Sequence, residues 1–377
     1  MEKPKRMMTS YGTFEEVPSR LNESSAEGKI LEMENEKKIS ALVRDLRSLS
    51  DNTIKDSDRY SLYPIRDRST FGFFNTHVGT VWNNAEMDYT RDKEDYEKLT
   101  APQQYMLGTI LAFFSSADGV ILDNLAFRFI LEARSLEEKA FYVVQQYMEL
   151  IHSEGYSLAI DSLISDPEKR REFFEAADNH ASVRRKNQFM EKYLHSDIPK
   201  VYRLVAFACA EGIFFLSAFL VVFWFRSQGK LANFIFLNEQ VSKDETLHRN
   251  FAVHLIKQLK EYLRSLGVDV SSELIQEIIR EAVDIEVDFM RELLVEDQND
   301  LTKEHATSYI YRLANALLLD IEEEAVYPER ELPTWINDLC MEQKSNSYEV
   351  RGGNYRTRST DEVEDKSSAY QGEEDDF

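Results

Sequence analysis

Cysteine is scarce: Cys209 and Cys340 are the only two in 377 residues, too few for a disulfide framework. Cys209 sits in an apolar run, where a buried thiol is the plain reading. Glycine and proline number only 13 and 8, which argues against an all-β protein built on tight turns. Basic residues are outnumbered, 45 Lys and Arg against 68 Asp and Glu, for a formal net charge of −23. Nucleic acid and anionic membrane surfaces both demand clustered Lys and Arg, so neither is an expected partner. The opening MEKPKRMMTSYGTFEEVPSR lacks the apolar core of a secretory signal, and a cytoplasmic location is expected. A Gly-rich phosphate loop is also missing, as is any series of alternating strands, so the protein is not expected to bind nucleotide.

What is present is helix. Hydrophobic residues make up 43% of the sequence, enough for a large core beside 30% charged residues. Apolar segments over roughly 101–130, 133–162, 198–226, 231–265, 271–296 and 301–325 each exceed strand length and predict helices. Asp166 followed by Pro167 reads as an N-cap with proline in the first helical position. Three regions are expected. Residues 1–55 are a largely disordered segment with an amphipathic helix candidate at 39–49, and 56–338 form one all-α domain. Residues 339–377 form a flexible tail. Its end, DEVEDKSSAYQGEEDDF, carries eight acids and one Lys and closes on Phe377, either a plain terminus or a tethered docking peptide.

The stretch 204–225, LVAFACAEGIFFLSAFLVVFWF, has 22 residues and one charge, Glu211. It is long enough to span a bilayer, but a carboxylate in lipid is costly, and the centre of a large bundle also requires a helix that is apolar all round. What Glu211 pairs with decides between the two.

Two tetrads answer that. Glu149-Leu-Ile-His152 and Glu245-Thr-Leu-His248 each place a carboxylate and an imidazole three residues apart, about 60° around a helix, so both can reach one ion. Each is preceded by an acid in an apolar segment: Asp118 lies 31 residues before Glu149, and Glu211 lies 34 before Glu245. One acid from each of two helices with Glu-x-x-His from two more is the ligand pattern of di-iron and di-manganese bundles. Four carboxylates offset the charge of two adjacent cations, and oxygen with imidazole donors suits iron or manganese better than a structural zinc. Tyr156, four residues after His152, shares its helix face and is either a core tyrosine or a redox tyrosine. Phe215 and Phe219 follow Glu211 by four and eight residues, and Val241 precedes Glu245 by four. They are ordinary core or the walls of a dry pocket in which a radical survives.

Together, RYSLYPI at 59–65, LAFFSSADGVILDNL at 111–125, MELIHSEGYSL at 148–158, AFACAEGIFF at 206–215 and NEQVSKDETLH at 238–248 resemble the small, radical-generating subunit of class I ribonucleotide reductase. The resemblance runs from about Arg59 to Tyr355 and implies a ferritin-like helical bundle. It implies two iron ions per chain, with manganese open, on Asp118, Glu149, His152, Glu211, Glu245 and His248. It also implies a radical at Tyr156 within a pocket of Phe215, Phe219 and Val241. Trp82 and Asp244 match the family's relay toward its partner, Glu86 an acid that communicates with the large subunit, and Tyr355 the tail tyrosine, with Tyr348 second. The acidic tail resembles the peptide that docks the large catalytic subunit, and a homodimer is implied. Lys243, Ala85 and the segment EEKAFY at 137–142 depart from the family pattern without touching a ligand. The function implied is that of a ribonucleoside-diphosphate reductase, in which iron–oxygen chemistry takes one electron and a proton from Tyr156. A di-iron monooxygenase or ferroxidase is the alternative. It needs neither the tyrosine nor the tail, and iron storage fits the long tail poorly.

Overall fold

Helix starts in this protein are marked by side chains that accept from the free N–H groups of the first turn. Thr100 and Gln103 form a reciprocal capping box, Ser135 accepts from the N–H of Glu138, and Asp166 accepts from Glu168 with Pro167 behind it. Ser271 and Thr302 cap two later helices in the same way. The computed structural model describes residues 59–339 apart from 86, 176–179, 195 and 299. Glu86, Cys340, Tyr348, Tyr355, Phe377 and the segment 39–49 therefore lie outside the described residues.

Besides a helical turn at 334–339, ten helices carry most of the described residues: α1 Arg68–Gly79, α2 Thr90–Glu97, α3 Ala101–Glu132, α4 Leu136–Leu163 and α5 Pro167–Phe174. They continue with α6 Ala181–Leu194, α7 Lys200–Ser227, α8 Ala232–Ser265, α9 Ser272–Leu293 and α10 Lys303–Asp320. No strand occurs among the described residues, and one isolated bridge joins Gln298 and Leu301. The fold is an all-α bundle. The six long segments expected from apolar periodicity match α3, α4 and α7 to α10 within a few residues at most ends. The last stops earlier, at Asp320.

α3 packs on α4 and α7 packs on α8, and these two pairs form the centre. α1 covers α4 and α8, α9 lies across α6 and α7, and α10 packs on α9. Two of the central helices carry a wide turn, Leu125–Phe129 in α3 and Ala210–Phe215 in α7. Such π-turns insert a residue into the register and often sit at functional sites. The second holds Glu211. The apolar stretch 204–225 is enclosed by protein along its whole length, so it is the core helix of the bundle.

Candidate metal centre

The four central helices each carry acid into the same part of the core. α3 supplies Asp118, α4 supplies Glu149 and His152, the wide turn of α7 supplies Glu211, and α8 supplies Glu245 and His248. All six side chains are fully buried. Donor atoms of Glu149, Glu211, Glu245 and His248 lie within 4.8 Å of one another. His152 joins them, with Nδ1 3.3 Å from Glu149 Oε2 and 3.2 Å from Glu245 Oε1. His248 Nδ1 lies 3.1 Å from Glu149 Oε1 and 3.2 Å from Glu245 Oε2. Both imidazoles thus turn the same nitrogen toward the carboxylates. Asp118 stands outside the four-residue cluster but is electrostatically linked to both histidines and to Glu149 and Glu245.

This group is unbalanced without cations. Both oxygens of Asp118 and Oε2 of Glu211 have no hydrogen-bond partner, and Oε2 of Glu149 and Oε1 of Glu245 share the single Nδ1 of His152, although buried polar atoms are normally paired. Burial first, and then the charges of neighbouring acids, push the Asp118 and Glu211 carboxyls well above the usual range, with the histidines opposing this at Asp118. Burial would raise Glu149 and Glu245 too, but contacts with the histidines and, for Glu245, a hydrogen bond with Glu211 hold both low. Burial would lower the histidines, yet hydrogen bonds and carboxylate charge prevail. His152 is pushed well up, and His248 to about 9. Oxygen atoms without donors, beside two imidazoles of aligned orientation, fit a pair of divalent cations.

Each imidazole is backed by a different partner. His152 Nε2 meets Asp244 Oδ2 at 3.0 Å, and the same oxygen accepts from Trp82 Nε1 at 2.8 Å. The Trp82 ring stacks on His152 with centroids 5.8 Å apart. His248 Nε2 instead meets Nε2 of His77 at 2.9 Å. Gln145 donates to both Glu149 Oε1 and Glu211 Oε1 at 3.2 Å, tying α4 to α7.

Tyr156 is fully buried one turn beyond His152, and its hydroxyl donates to Asn238 Oδ1 at 3.2 Å. Asn238 in turn donates to the Phe234 carbonyl at 2.7 Å, which fixes which end of the amide faces the phenol. Phe114 stacks on Tyr156 at 4.6 Å and lies 5.8 Å from Phe215 and 5.3 Å from Phe219, between the tyrosine and both rings. Phe215, Phe219 and Val241 are fully buried. Between His152 and Tyr156, Gly155 has no room for a Cβ, which would come 2.8 Å from Asn84 Oδ1 and from a Leu237 methyl. Asn84 uses the space to donate to the Ile151 carbonyl at 2.8 Å. Sequence reasoning did not single out His77, Phe114, Gln145 or Asn238. Only Phe114 and Asn238 fall inside a quoted motif.

An all-α bundle whose four central helices converge four carboxylates and two imidazoles defines a ferritin-like protein with a di-metal carboxylate site. Residues 59–333 match the family model for the ribonucleotide reductase small chain. The protein is 34% identical over 302 residues to the ribonucleoside-diphosphate reductase small chain of Plasmodium falciparum, an alignment covering 80% of the present sequence and 84% of that relative. It is 33% identical over 303 residues to a small chain of the same enzyme from Arabidopsis thaliana, with 80% and 87% covered. Among solved structures, the Rnr4 homodimer of Saccharomyces cerevisiae aligns with a TM-score of 0.70 at 25% identity, covering 85% of the present sequence and 99% of the yeast one. The chain belongs to the ribonucleotide reductase small-chain family.

Proposed function

We propose that this chain is the radical-generating subunit of a ribonucleoside-diphosphate reductase, with its radical stored at Tyr156. The observation that carries the reading is the placement of a fully buried tyrosine one turn beyond a ligand set that is deficient in positive charge. Asp118, Glu149, His152, Glu211, Glu245 and His248 would hold two ions of iron or manganese. Reduced iron with dioxygen supplies the one-electron oxidant that such a site needs.

The remaining work is done by the protein. Burial pushes the Tyr156 phenol well above its usual range, so phenolate is not available at neutral pH and the electron must leave together with a proton. Asn238 accepts the phenol hydrogen bond but is an amide and cannot take up that proton, which would pass with the electron to the oxidant held at the metal site. Its role is to hold the ring. Phe114, Phe215 and Phe219 exclude water and offer no hydrogen atom easily abstracted. Export would run along Trp82, Asp244 and His152, which are already joined by hydrogen bonds. It would continue through Tyr355 to a large subunit docked on the acidic tail, and reduction of the ribonucleotide would take place there.

A homodimer is part of the same reading. Val143, Tyr147, Leu150 and Leu158 are all exposed on α4, at spacings that put them along one face. That stripe suits a second copy, and the structurally similar yeast Rnr4 is described as a homodimer.

The test is to add ferrous iron and oxygen to the metal-free protein and record electron paramagnetic resonance. Wild type should give a tyrosyl signal. Tyr156→Phe should take up the same amount of iron and give none. A signal of unchanged size in that variant would place the radical elsewhere. Oxidation of a small organic substrate without any partner subunit would favour the monooxygenase reading.

A further inference from the structure

His77 occupies the last turn of α1, is fully buried, and is assigned no role by the family pattern described above. Its Nε2 lies 2.9 Å from Nε2 of His248, with ring centroids 4.9 Å apart. His248 uses its other nitrogen, Nδ1, toward Glu149 and Glu245. One proton must lie between two Nε2 atoms this close, and its owner follows from the geometry. If Nδ1 of His248 is to donate its lone pair to a cation, Nε2 carries the hydrogen, and His77 Nε2 must accept it. The same direction holds when His248 is a cation with both nitrogens protonated. His77 is then neutral and carries its own hydrogen on Nδ1.

A second observation supports a dedicated role. His77 Nδ1 makes no hydrogen bond to another residue. No side chain of another residue engages that nitrogen, so the cross-helix bond the ring makes is the one to His248. Phe141 lies 5.2 Å from His77 and 6.4 Å from His248, and packs flat on Phe251 at 3.7 Å. The imidazole pair is therefore held in an apolar wall that offers no competing acceptor.

We propose that His77 is a positioning residue for the second cation: it accepts from Nε2 of His248 and so fixes Nδ1 as the ligating atom. The inference rests on the metal-centre reading above. It makes the two histidine ligands unequal. His152 is backed by a carboxylate that draws its N–H strongly and increases its donation to a cation. His248 is backed by a neutral imidazole, a weaker acceptor. The cation held by His248 should therefore be the more weakly bound of the two and the one that depends on His77.

The experiment titrates metal-free protein with manganese(II), counting bound ions from the loss of the free-ion resonance signal and following the unfolding temperature of each metal-free protein. His77→Leu removes the acceptor. His77→Gln keeps one in its side-chain carbonyl. Wild type should bind two ions per subunit and give the spectrum of a coupled pair. His77→Leu should lose about 10- to 100-fold in affinity for one ion only, leaving an isolated-ion spectrum at moderate metal concentration. His77→Gln should recover the second ion to within a few-fold. Wild-type affinity for both ions in His77→Leu would overturn the proposal. So would equal losses in both variants, whether or not accompanied by a lower unfolding temperature, because that would mean His77 acts by packing. Fewer than two ions in wild type would overturn the metal-centre reading itself, and this inference with it.

Discussion

Among the buried charges of this bundle, two clusters balance in different ways. Beside the metal centre, Lys186 on α6 reaches into the core. Its Nζ lies 2.8 Å from Glu286 Oε2 on α9, and 3.4 Å and 3.9 Å from the ring centroids of Phe113 and Phe289. Ser217 donates to the same Glu286 carboxylate. Burial pulls the ammonium down to about 8 and raises Glu286, each opposed by the other's charge. One cation meets one anion, with aromatic faces around them, so the two charges cancel within the pair. At the metal centre, by contrast, four acids face two imidazoles. In the metal-free state burial and neighbouring acids raise the Asp118 and Glu211 carboxyls, and carboxylate contacts raise both histidines, so the group favours bound protons where cations are absent. A buried pair that closes on itself is structural. A buried group that must borrow protons is waiting for other cations.

That contrast can be broken at either cluster. The largest effect is expected from Glu211→Gln, which keeps the side-chain volume and removes one ligand charge. Affinity for manganese(II) should fall by two orders of magnitude or more, while the metal-free protein melts no lower than wild type. Burial already disfavours the ionised form of this carboxyl, and the amide replaces it without that penalty. Equilibrium dialysis and calorimetry would measure the two effects. A marked loss of metal-free stability would show the acid to be structural. At the other cluster the sign reverses. Lys186→Met leaves Glu286 buried and unpaired and should destabilise the fold by about 3–5 kcal/mol with metal content unchanged. Adding Glu286→Leu should restore most of that loss, since Ser217 keeps its bond to the Phe214 carbonyl. Denaturant melts of the single and double variants decide it, and a double variant no better than the single one would deny the self-contained pair.

The smallest effect is a count of protons. The raised pKa values of Asp118, Glu211, His152 and His248 favour bound protons, which a cation would have to displace. Release should be measurable at pH 7 and shrink as pH rises through about 9, where His248 loses its proton before any cation binds. Metal affinity should rise over the same interval. A dye in weakly buffered solution reads the release directly. Binding without release would mean that the four acids are ionised before the metal arrives.

Much of this molecule is legible in its sequence. α3, α4 and α7 to α10 are long and apolar, so periodicity marks them, and Asp166-Pro167 marks the start of α5 with two residues. The six proposed ligands stand out because a doubled Glu-x-x-His at matched distances is rare by chance. α1, α2 and α6 were not anticipated. α2, TRDKEDYE, is almost wholly polar, and α6 alternates bases with its apolar residues, so both owe their helicity to the neighbours they pack on. The wide turn around Glu211 leaves no mark on composition. His77 is a lone histidine in a segment with no other ligand, and only the fold brings it to His248 across 171 positions. Lys186 looks like one more surface base in VRRKNQ until the helix turns it inward. Local pattern shows what a helix is. Pairing across helices shows what its polar residues are for.

The enclosure of α7 has a consequence for how the protein is made. Synthesis proceeds from the N-terminus, so 204–225 is complete before α8 and α9 exist to cover it. For that interval the nascent polypeptide displays a segment long and apolar enough for a bilayer, with one carboxylate near its middle. On a growing helix that has no metal and no partner acid, Glu211 has nothing to coordinate. It still costs several kcal/mol to carry into lipid. The residue proposed to hold a cation would thus also raise the cost of inserting the most apolar helix of the bundle into lipid before its neighbours arrive.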